Sequence, residues 1–172
     1  MAGRAIQIHD TFSAAGGEVV LVPARFRDLP TLRTLQRRCF SSSQAYGLAT
    51  LFVLYLWPRC EALVARSGDR IVGSVFADVM RGQARILNIC VDPDFRREGI
   101  GARLLAAAES LFDVPDITLM VEDKNTGAQE LYRRSGYLTV GQLPHYYGRN
   151  RHGLLMQKRR GVPPDGPSAS VR

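Results

Sequence analysis

The sequence predicts a mixed α/β (α+β) domain in which a mostly antiparallel central sheet is flanked by about four helices. Three β-rich runs follow one another between residues 60 and 91, separated only by short polar turns at 67–69 and 81–83. Such a succession is typical of antiparallel hairpins. The third run leads into a glycine-rich turn and a helix, and helical and β-rich segments then alternate up to residue 158. A chain of 172 residues is long enough to bury one sizeable core.

The first third of the domain is predicted to hold one strand and two helices. A β-branched run over 18–23 predicts the strand. Asp28 and Pro30 then form a helix-start signal, and apolar residues follow at helical spacing up to Cys39. The next helix, over 45–56, is apolar nearly all round, which predicts burial in the core. If half of it were exposed, that half would offer a homodimer face or a wall of a substrate site.

The remaining two thirds are predicted to contain six further strands and two further helices. A helix is expected over 100–111, with Leu104, Leu105 and Ala108 on one face. Another is expected over 125–135, ended by Gly136. The expected strands are 60–66, 70–80, 84–91, 116–121, 137–143 and 153–158.

Composition limits the domain boundaries and the classes of partner. Residues 18–160 are expected to form the domain, preceded by a loose leader over 1–17 and followed by a disordered Pro/Gly/Ser-rich tail over 161–172. A net charge of +7 favours anionic partners, but much of it lies near the C-terminus, so no specific nucleic-acid partner is expected. Three cysteines without a C-x-x-C pair indicate reduced thiols and no metal site. The longest apolar run has about half the length of a bilayer span, so no membrane partner and a cytoplasmic location are expected.

The stretch ILNICVDPDFRREGIGARLL, residues 86–105, predicts an anion-binding site. A strand feeding a glycine turn that becomes a helix N-terminus presents unpaired backbone N–H groups and partial positive charge. Gly99 and Gly101 allow close approach to a phosphate, and Arg96, Arg97 and Arg103 add full charges. The turn lacks the Gly-Lys-Ser/Thr of a Walker motif and the third glycine of the dinucleotide fingerprint.

Three segments in this order resemble the GNAT superfamily of acetyl-CoA-dependent N-acetyltransferases. They are NICVDPDFRREGIG over 88–101, then EDKN over 122–125 with Leu131-Tyr132 and Ser135-Gly136-Tyr137, then His145-Tyr146-Tyr147. The resemblance covers residues 18 to 158 and is strongest to the RimI-like group, which acetylates protein N-termini. It implies the GNAT acyl-CoA N-acyltransferase fold and acetyl-CoA as the donor.

The resemblance also implies roles for the residues that match the family pattern. Backbone groups of Ile89–Val91 would hold the pantetheine arm, and Arg97–Ala102 would cradle the pyrophosphate. Asn125 would bond the cofactor, cap its helix, or do both. Tyr132 would be the general acid that protonates the leaving thiolate. The implied cofactor-binding residues are Ile89, Cys90, Val91, Arg96, Arg97, Glu98, Gly99, Ile100, Gly101, Ala102, Asn125 and Tyr132.

One part of the family pattern is missing. RimI-like enzymes usually carry a glutamate base at the position that is Met120 here. Glu122 lies on the same face of the expected strand, where it could act through a water or be a plain surface carboxylate. The implied acceptor-site residues are Ser43, Tyr46, His145, Tyr146 and Tyr147.

Three functions remain open from the sequence. The first is acetylation of a protein or peptide N-terminus, a ribosomal protein among the candidates. A weak base favours this acceptor, because an α-amine with a pKa near 8 is neutral in roughly a tenth of molecules at pH 7, against about 0.04% for lysine. The second is acetylation of a small amine, and the third is a catalytically impaired CoA-binding module. Retention of Tyr132 argues against the third.

Overall fold

The computed structural model describes residues 10–14, 17–41 and 44–160. These residues form four helices packed on a single eight-stranded sheet, with two short 3-10 turns at Phe26–Asp28 and Pro93–Phe95. The elements in chain order are β1 (Asp10–Ala14), β2 (Gly17–Pro23), α1 (Leu29–Cys39), α2 (Leu48–Leu56), β3 (Cys60–Ser67), β4 (Arg70–Met80), β5 (Gln83–Val91), α3 (Ile100–Ser110), β6 (Asp116–Glu122), α4 (Thr126–Arg134), β7 (Leu138–Leu143) and β8 (Gly153–Arg159).

The strands lie in the order β1-β2-β3-β4-β5-β6-β8-β7. Every neighbouring pair is antiparallel except β5 and β6, which are parallel. The crossover between them consists of the glycine turn and α3, as a parallel connection requires. The predicted mixed sheet, mostly antiparallel with about four helices, is confirmed.

Alternating residues of the central strands build two cores on opposite faces of the sheet. On β4, Val75 and Ala77 join one cluster, which includes α3 and Tyr132 of α4, while Phe76 joins the cluster under α1 and α2. This alternation follows from the two-residue period of a strand. One helix pair therefore covers each face.

A β-bulge in β5 reverses this alternation halfway along the strand. Ala77 of β4 lies opposite Ile86 and Phe76 lies opposite Asn88, so Leu87 is an extra residue. Before the bulge Ile86 faces α3, and after it Ile89 and Val91 do, while Cys90 faces α1. The bulge coincides with the end of the pairing between β5 and β6, which stops at Ile86 opposite Leu119.

Two sequence expectations differ from the structure. The expected leader over 1–17 contains β1, which pairs with β2 through Phe12 and Val19 among others, and β2 itself begins at Gly17. The expected helix over 45–56 begins only at Leu48 and is not buried: Leu51 is its one buried residue. Its apolar surface exceeds what the underlying sheet can cover, so Phe52 and Val53 face outward. The expected tail over 161–172 lies outside the described residues.

None of the helices in the described ranges is both long enough and apolar enough to cross a bilayer.

We predict that Gly73→Ala destabilises the fold. A Cβ on Gly73 would lie 2.9 Å from Cδ1 of Leu104 and 3.2 Å from the Cys90 carbonyl oxygen, where α3 packs against β4. Overpacking of this kind costs about 1–3 kcal/mol. Urea denaturation should show the lower free energy of unfolding. Gly127→Ala is the control, because a Cβ there meets nothing within 4 Å and the position is helical. Equal stability of the two variants would contradict the close packing of α3.

Candidate active site

Beyond Ile86 the two central parallel strands diverge and leave a wedge between them. The wedge is bordered by residues 87–91 of β5 and 120–122 of β6. Neither range is paired with the other strand. An unpaired strand edge presents backbone N–H and C=O groups that an extended molecule can bind by β-augmentation. The wedge therefore has the geometry to bind an extended, amide-bearing ligand.

The predicted anion-binding turn lies directly after the β5 side of the wedge. Gly99 is the N-cap of α3 with φ of +78°, and Arg97 is also left-handed at +70°. The first intrahelical bond of α3 runs from Arg103 N–H to the Gly99 carbonyl, so the amides before Arg103 point out of the helix. The side chain of Arg103 pairs with Asp10 of β1 at 3.1 Å, so its predicted charge is partly neutralised.

A buried carboxylate fixes the start of this turn. Asp92 is only 2% exposed and accepts hydrogen bonds from Arg38 at 3.0 Å, from Arg70 at 2.8 Å and from the Asp94 N–H at 3.1 Å. Arg38 and Arg70 also bond Asp94. This cluster joins α1, β4 and the turn. It was not predictable from local sequence, because each arginine is 22 to 56 residues away from the aspartates that it binds.

Tyr132 lies on the α3 side of the wedge with its side chain buried. Its ring packs against Tyr137 with centroids 5.9 Å apart, and its hydroxyl forms no hydrogen bond to any residue in the described ranges. Burial, and then the proximity of Tyr147 and Cys90, raise its pKa well above the ordinary value. The phenol therefore stays protonated throughout the neutral range and holds a proton that it can donate.

Asn125 occupies the N-cap of α4. Its side-chain oxygen accepts a hydrogen bond from the Ala128 N–H at 3.1 Å, which is the capping geometry expected from the sequence. The side-chain NH2 group makes no hydrogen bond within the described part of the chain. The same residue can therefore cap the helix and donate to a ligand.

Two tyrosine hydroxyls occupy the opposite, α1 side of the wedge. Tyr46 donates to the Leu87 carbonyl of β5 at 3.1 Å, and Tyr147 donates to the Met120 carbonyl of β6 at 2.9 Å. Each replaces a ladder bond that the diverging strands have lost. Burial raises the pKa of both phenols, so both remain neutral.

Met120 fills the position where the sequence pattern leads one to expect a glutamate. Its sulfur lies 2.8 Å from the point that a Cβ on Gly153 would occupy, and Tyr146 covers the same point at 3.0 Å. The thioether is thus packed over a glycine of β8. It supplies no base.

Glu122 is held by residues from two loops. Arg151 donates to both carboxylate oxygens, at 2.6 and 2.9 Å, and Gln44 donates at 3.1 Å. The bond from Arg151 lowers the pKa of Glu122, so the ion pair persists at neutral pH and is lost only as the pH falls through that lowered value. A carboxylate with a lowered pKa is a weaker proton acceptor. Gln44 and Arg151 are contacts that sequence reasoning missed, since they lie 78 and 29 residues from Glu122.

The other residues predicted for the acceptor site lie farther from the wedge or outside the described residues. Tyr146 is 54% exposed and packs edge-on against Tyr147. His145 is exposed, and its Nδ1 accepts a hydrogen bond from the Asn150 N–H within the same loop. Ser43 lies outside the described residues. The wedge therefore brings together Tyr46, Tyr147 and Tyr132, but not His145.

The geometry can be compared with known proteins. A family model described as the acetyltransferase (GNAT) family matches residues 29–137. This chain belongs to that family and is an acetyl-CoA-dependent N-acetyltransferase. It is 29% identical over 138 residues to an uncharacterised N-acetyltransferase of Methanocaldococcus jannaschii, covering 78% of this chain and 87% of the relative. It is 27% identical over 120 residues to the catalytic subunit of the N-terminal acetyltransferase B complex of Arabidopsis thaliana, covering 63% and 68%.

Solved structures confirm the fold. The ribosomal-protein-S18-alanine N-acetyltransferase of Escherichia coli superposes with a TM-score of 0.73 at 21% identity, covering 88% of this chain and 99% of that one. An N-acetyltransferase of Thermoplasma acidophilum, PaiA, solved in complex with coenzyme A, gives 0.71 at 16% identity, covering 82% and 98%. As a member of the GNAT family, the chain uses acetyl-CoA as its acetyl donor.

We predict that Gly99→Val weakens acetyl-CoA binding. A β-branched residue held at a positive φ costs about 1–3 kcal/mol, and relief of that strain would deform the turn, so we expect a rise of roughly tenfold or more in the calorimetric Kd.

Gly82→Val is a matched control for this prediction. Gly82 has φ of +79° and equally open surroundings, but it lies in the turn at the far end of β5. Both variants should lose similar stability, and only Gly99→Val should lose affinity. Unchanged affinity in Gly99→Val would remove the turn from the binding site.

Proposed function

We propose that the chain acetylates the α-amino group of a protein or peptide N-terminus, with Tyr132 as general acid. The observation that carries this proposal is Tyr132, whose ring is buried beside an open strand edge while its hydroxyl has no hydrogen-bond partner among the described residues. No buried side-chain oxygen or nitrogen of the described residues lacks a hydrogen-bond partner, so the unpartnered Tyr132 hydroxyl reaches accessible space, where a ligand can contact it.

The donor side of the wedge fits acetyl-CoA. The free edge at Ile89–Val91 offers backbone groups to the pantetheine amides, and the turn of Arg96–Ala102 offers N–H groups and arginines to the pyrophosphate. The amide of Asn125 lies at the start of α4, on the same side as Tyr132. Acetyl-CoA supplies an activated thioester, and the chain supplies its alignment.

The chemistry that these residues perform is proton transfer and orientation. The wedge directs a neutral amine at the thioester carbonyl, where a C–N bond forms and the C–S bond breaks. Backbone N–H groups near Val91 polarise the carbonyl oxygen. Tyr132 donates its phenolic proton to the departing sulfur, and water takes the proton that the amine loses. A proton from water then restores the phenol of Tyr132.

No free carboxylate of the described residues stands at the wedge to deprotonate the amine. Met120 replaces the usual glutamate, and Glu122 is committed to Arg151. We therefore propose that Glu122 holds in place the two loops that contain Gln44 and Arg151. Glu122 is at most a weak base that acts through a water molecule. A lysine acceptor would need about 3 kcal/mol more assistance than an α-amine, at 1.36 kcal/mol per pKa unit. The acetyltransferase B relative, whose name specifies N-terminal acetylation, supports the same acceptor class.

We predict that Tyr132→Phe lowers kcat about 100-fold or more and leaves acetyl-CoA affinity nearly unchanged, because only the proton donor is removed. Single-turnover kinetics and calorimetry measure the two quantities. Tyr137→Phe is the matched control, since the Tyr137 hydroxyl bonds Glu109 at 2.9 Å and faces away from the wedge's chemistry. It should lose stability and keep its rate. Full activity of Tyr132→Phe would exclude the acid role.

We also predict an acceptor preference and a pH profile. At saturating acetyl-CoA, kcat/KM for a peptide α-amine should exceed that for a lysine side chain in an otherwise blocked peptide by about 100-fold. The value of kcat/KM should rise with pH until the α-amine is neutral, near pH 8, with no fall from Tyr132 because its pKa is raised.

Glu122→Gln tests the base in the same assay. We expect it to keep the rising profile of kcat/KM with pH, because the titrating group is the acceptor. A fall in kcat of about 100-fold or more, with the rise unchanged, would assign the base to Glu122. Equal turnover of lysine and α-amine would overturn the N-terminal assignment.

A further inference from the structure

Two adjoining cavities form a trough on the outer surface of α1 and the segment that follows it. One has a volume of about 380 Å³ and is lined by Arg33, Arg37 and residues 45–48. The other, of about 190 Å³, is almost entirely apolar and is lined by residues of the 3-10 turn, α1 and α2. Leu48 lines both cavities, so they form a single trough with a basic half and an apolar half.

The basic half carries two arginines that lack a counter-charge. Arg33 and Arg37 lie four residues apart on α1, which places their side chains side by side, and like charges at this spacing destabilise a helix. Neither forms an ion pair with any residue of the described ranges, and α1 contains no acidic residue. The adjacent Arg38, in contrast, is bound by Asp92 and Asp94.

The apolar half exposes aromatic side chains. Phe26 is 57% and Phe52 is 42% exposed, and the two rings meet edge to face at 6.1 Å. Val53, Leu56 and Trp57 extend the same exposed surface along α2. Contiguous apolar surface of this kind marks an interaction site.

Tyr46 connects the trough to the wedge. It lines the basic cavity, and its hydroxyl donates to the Leu87 carbonyl where β5 and β6 diverge. A chain whose amino group lies in the wedge can therefore leave the site past Tyr46 and along the trough. The trough continues the acceptor side of the wedge.

We propose that the trough binds the residues that follow the acetylated N-terminus and selects an acidic side chain first and a bulky apolar one after it. This inference rests on the proposed function and names its substrate class. Paired guanidinium groups suit carboxylates, and the absence of acidic residues from the lining disfavours basic peptides. The occupant is thus an acidic-then-apolar N-terminal segment.

The test uses the full chain at saturating acetyl-CoA and peptides with one free α-amine and no lysine side chain. Three charge variants carry Glu, Gln or Arg at positions 2 and 3. Each variant is made in two versions, one with Leu and one with Gly at positions 5 and 6. We expect kcat/KM to fall from Glu to Gln by about fivefold and again to Arg, as for partly exposed ion pairs. The preference should shrink when NaCl is raised to 0.5 M.

Charge reversal locates the preference. Arg37→Glu should abolish or invert the Glu-over-Arg preference, while the Kd for acetyl-CoA stays the same. Arg81→Glu is the matched control, since it makes the same change in net charge in the exposed turn between β4 and β5. Phe52→Ala should remove the Leu-over-Gly preference, and Leu138→Ala, at a residue 58% exposed on β7, should not.

The outcomes separate the two proposals. Turnover of all three peptides at equal rates, or an equal loss for all three in Arg37→Glu, overturns the trough assignment and leaves N-terminal acetylation intact. No turnover of any peptide overturns both. Sedimentation showing a dimer that Phe52→Glu dissociates, with the peptide preferences unchanged, would make the apolar half a contact between copies of this chain and overturn its role in selection.

Discussion

Backbone polar groups left without partners are costly, and the divergence of β5 from β6 leaves several of them. The fold retains the opening because side chains replace the missing ladder. Tyr46 and Tyr147 donate to one carbonyl on each strand, and Cys39 and Arg96 donate to the Val91 carbonyl at 3.3 and 3.2 Å. The site is thus a gap in a sheet whose outer acceptors are satisfied and whose inner edge at Ile89 is left for a ligand.

The arginines of α1 have two different roles, although they lie within two turns of each other. Arg38 forms a salt bridge with the buried Asp92, and that bond holds the glycine turn before α3 in place. Arg33 and Arg37 have no such acid in the described residues, so their charge is directed at solvent. One short helix therefore contributes a structural cation to the donor side and unsatisfied cations to the acceptor side, which is consistent with a substrate held from both directions.

Local patterns in the sequence were sufficient for most of the fold, because turns, caps and two-residue alternation are encoded by neighbouring residues. Strands β2 to β8, α3, α4 and the glycine turn fall within a few residues of their predicted limits, whereas β1 was not predicted. The bulge at Leu87 was not predictable, because it exists only relative to β4. The pairing of Glu122 with Arg151 was also not predictable. The exposure of α2 was not predictable either, since a uniformly apolar helix does not encode how much of its surface the neighbouring elements cover.

The pairing of Arg103 with Asp10 gives the amino-terminal edge strand an electrostatic connection to the phosphate turn. Arg103 also lies over the ring of Phe12, 4.4 Å from its centroid, so both charge and hydrophobic surface link β1 to α3. Asp10 acts as an internal counterion that competes with any phosphate for the same guanidinium. The outermost strand of the sheet thereby sets part of the electrostatic potential at the proposed donor site from about 90 residues away in sequence, and that potential is lower than the number of arginines in the turn implies.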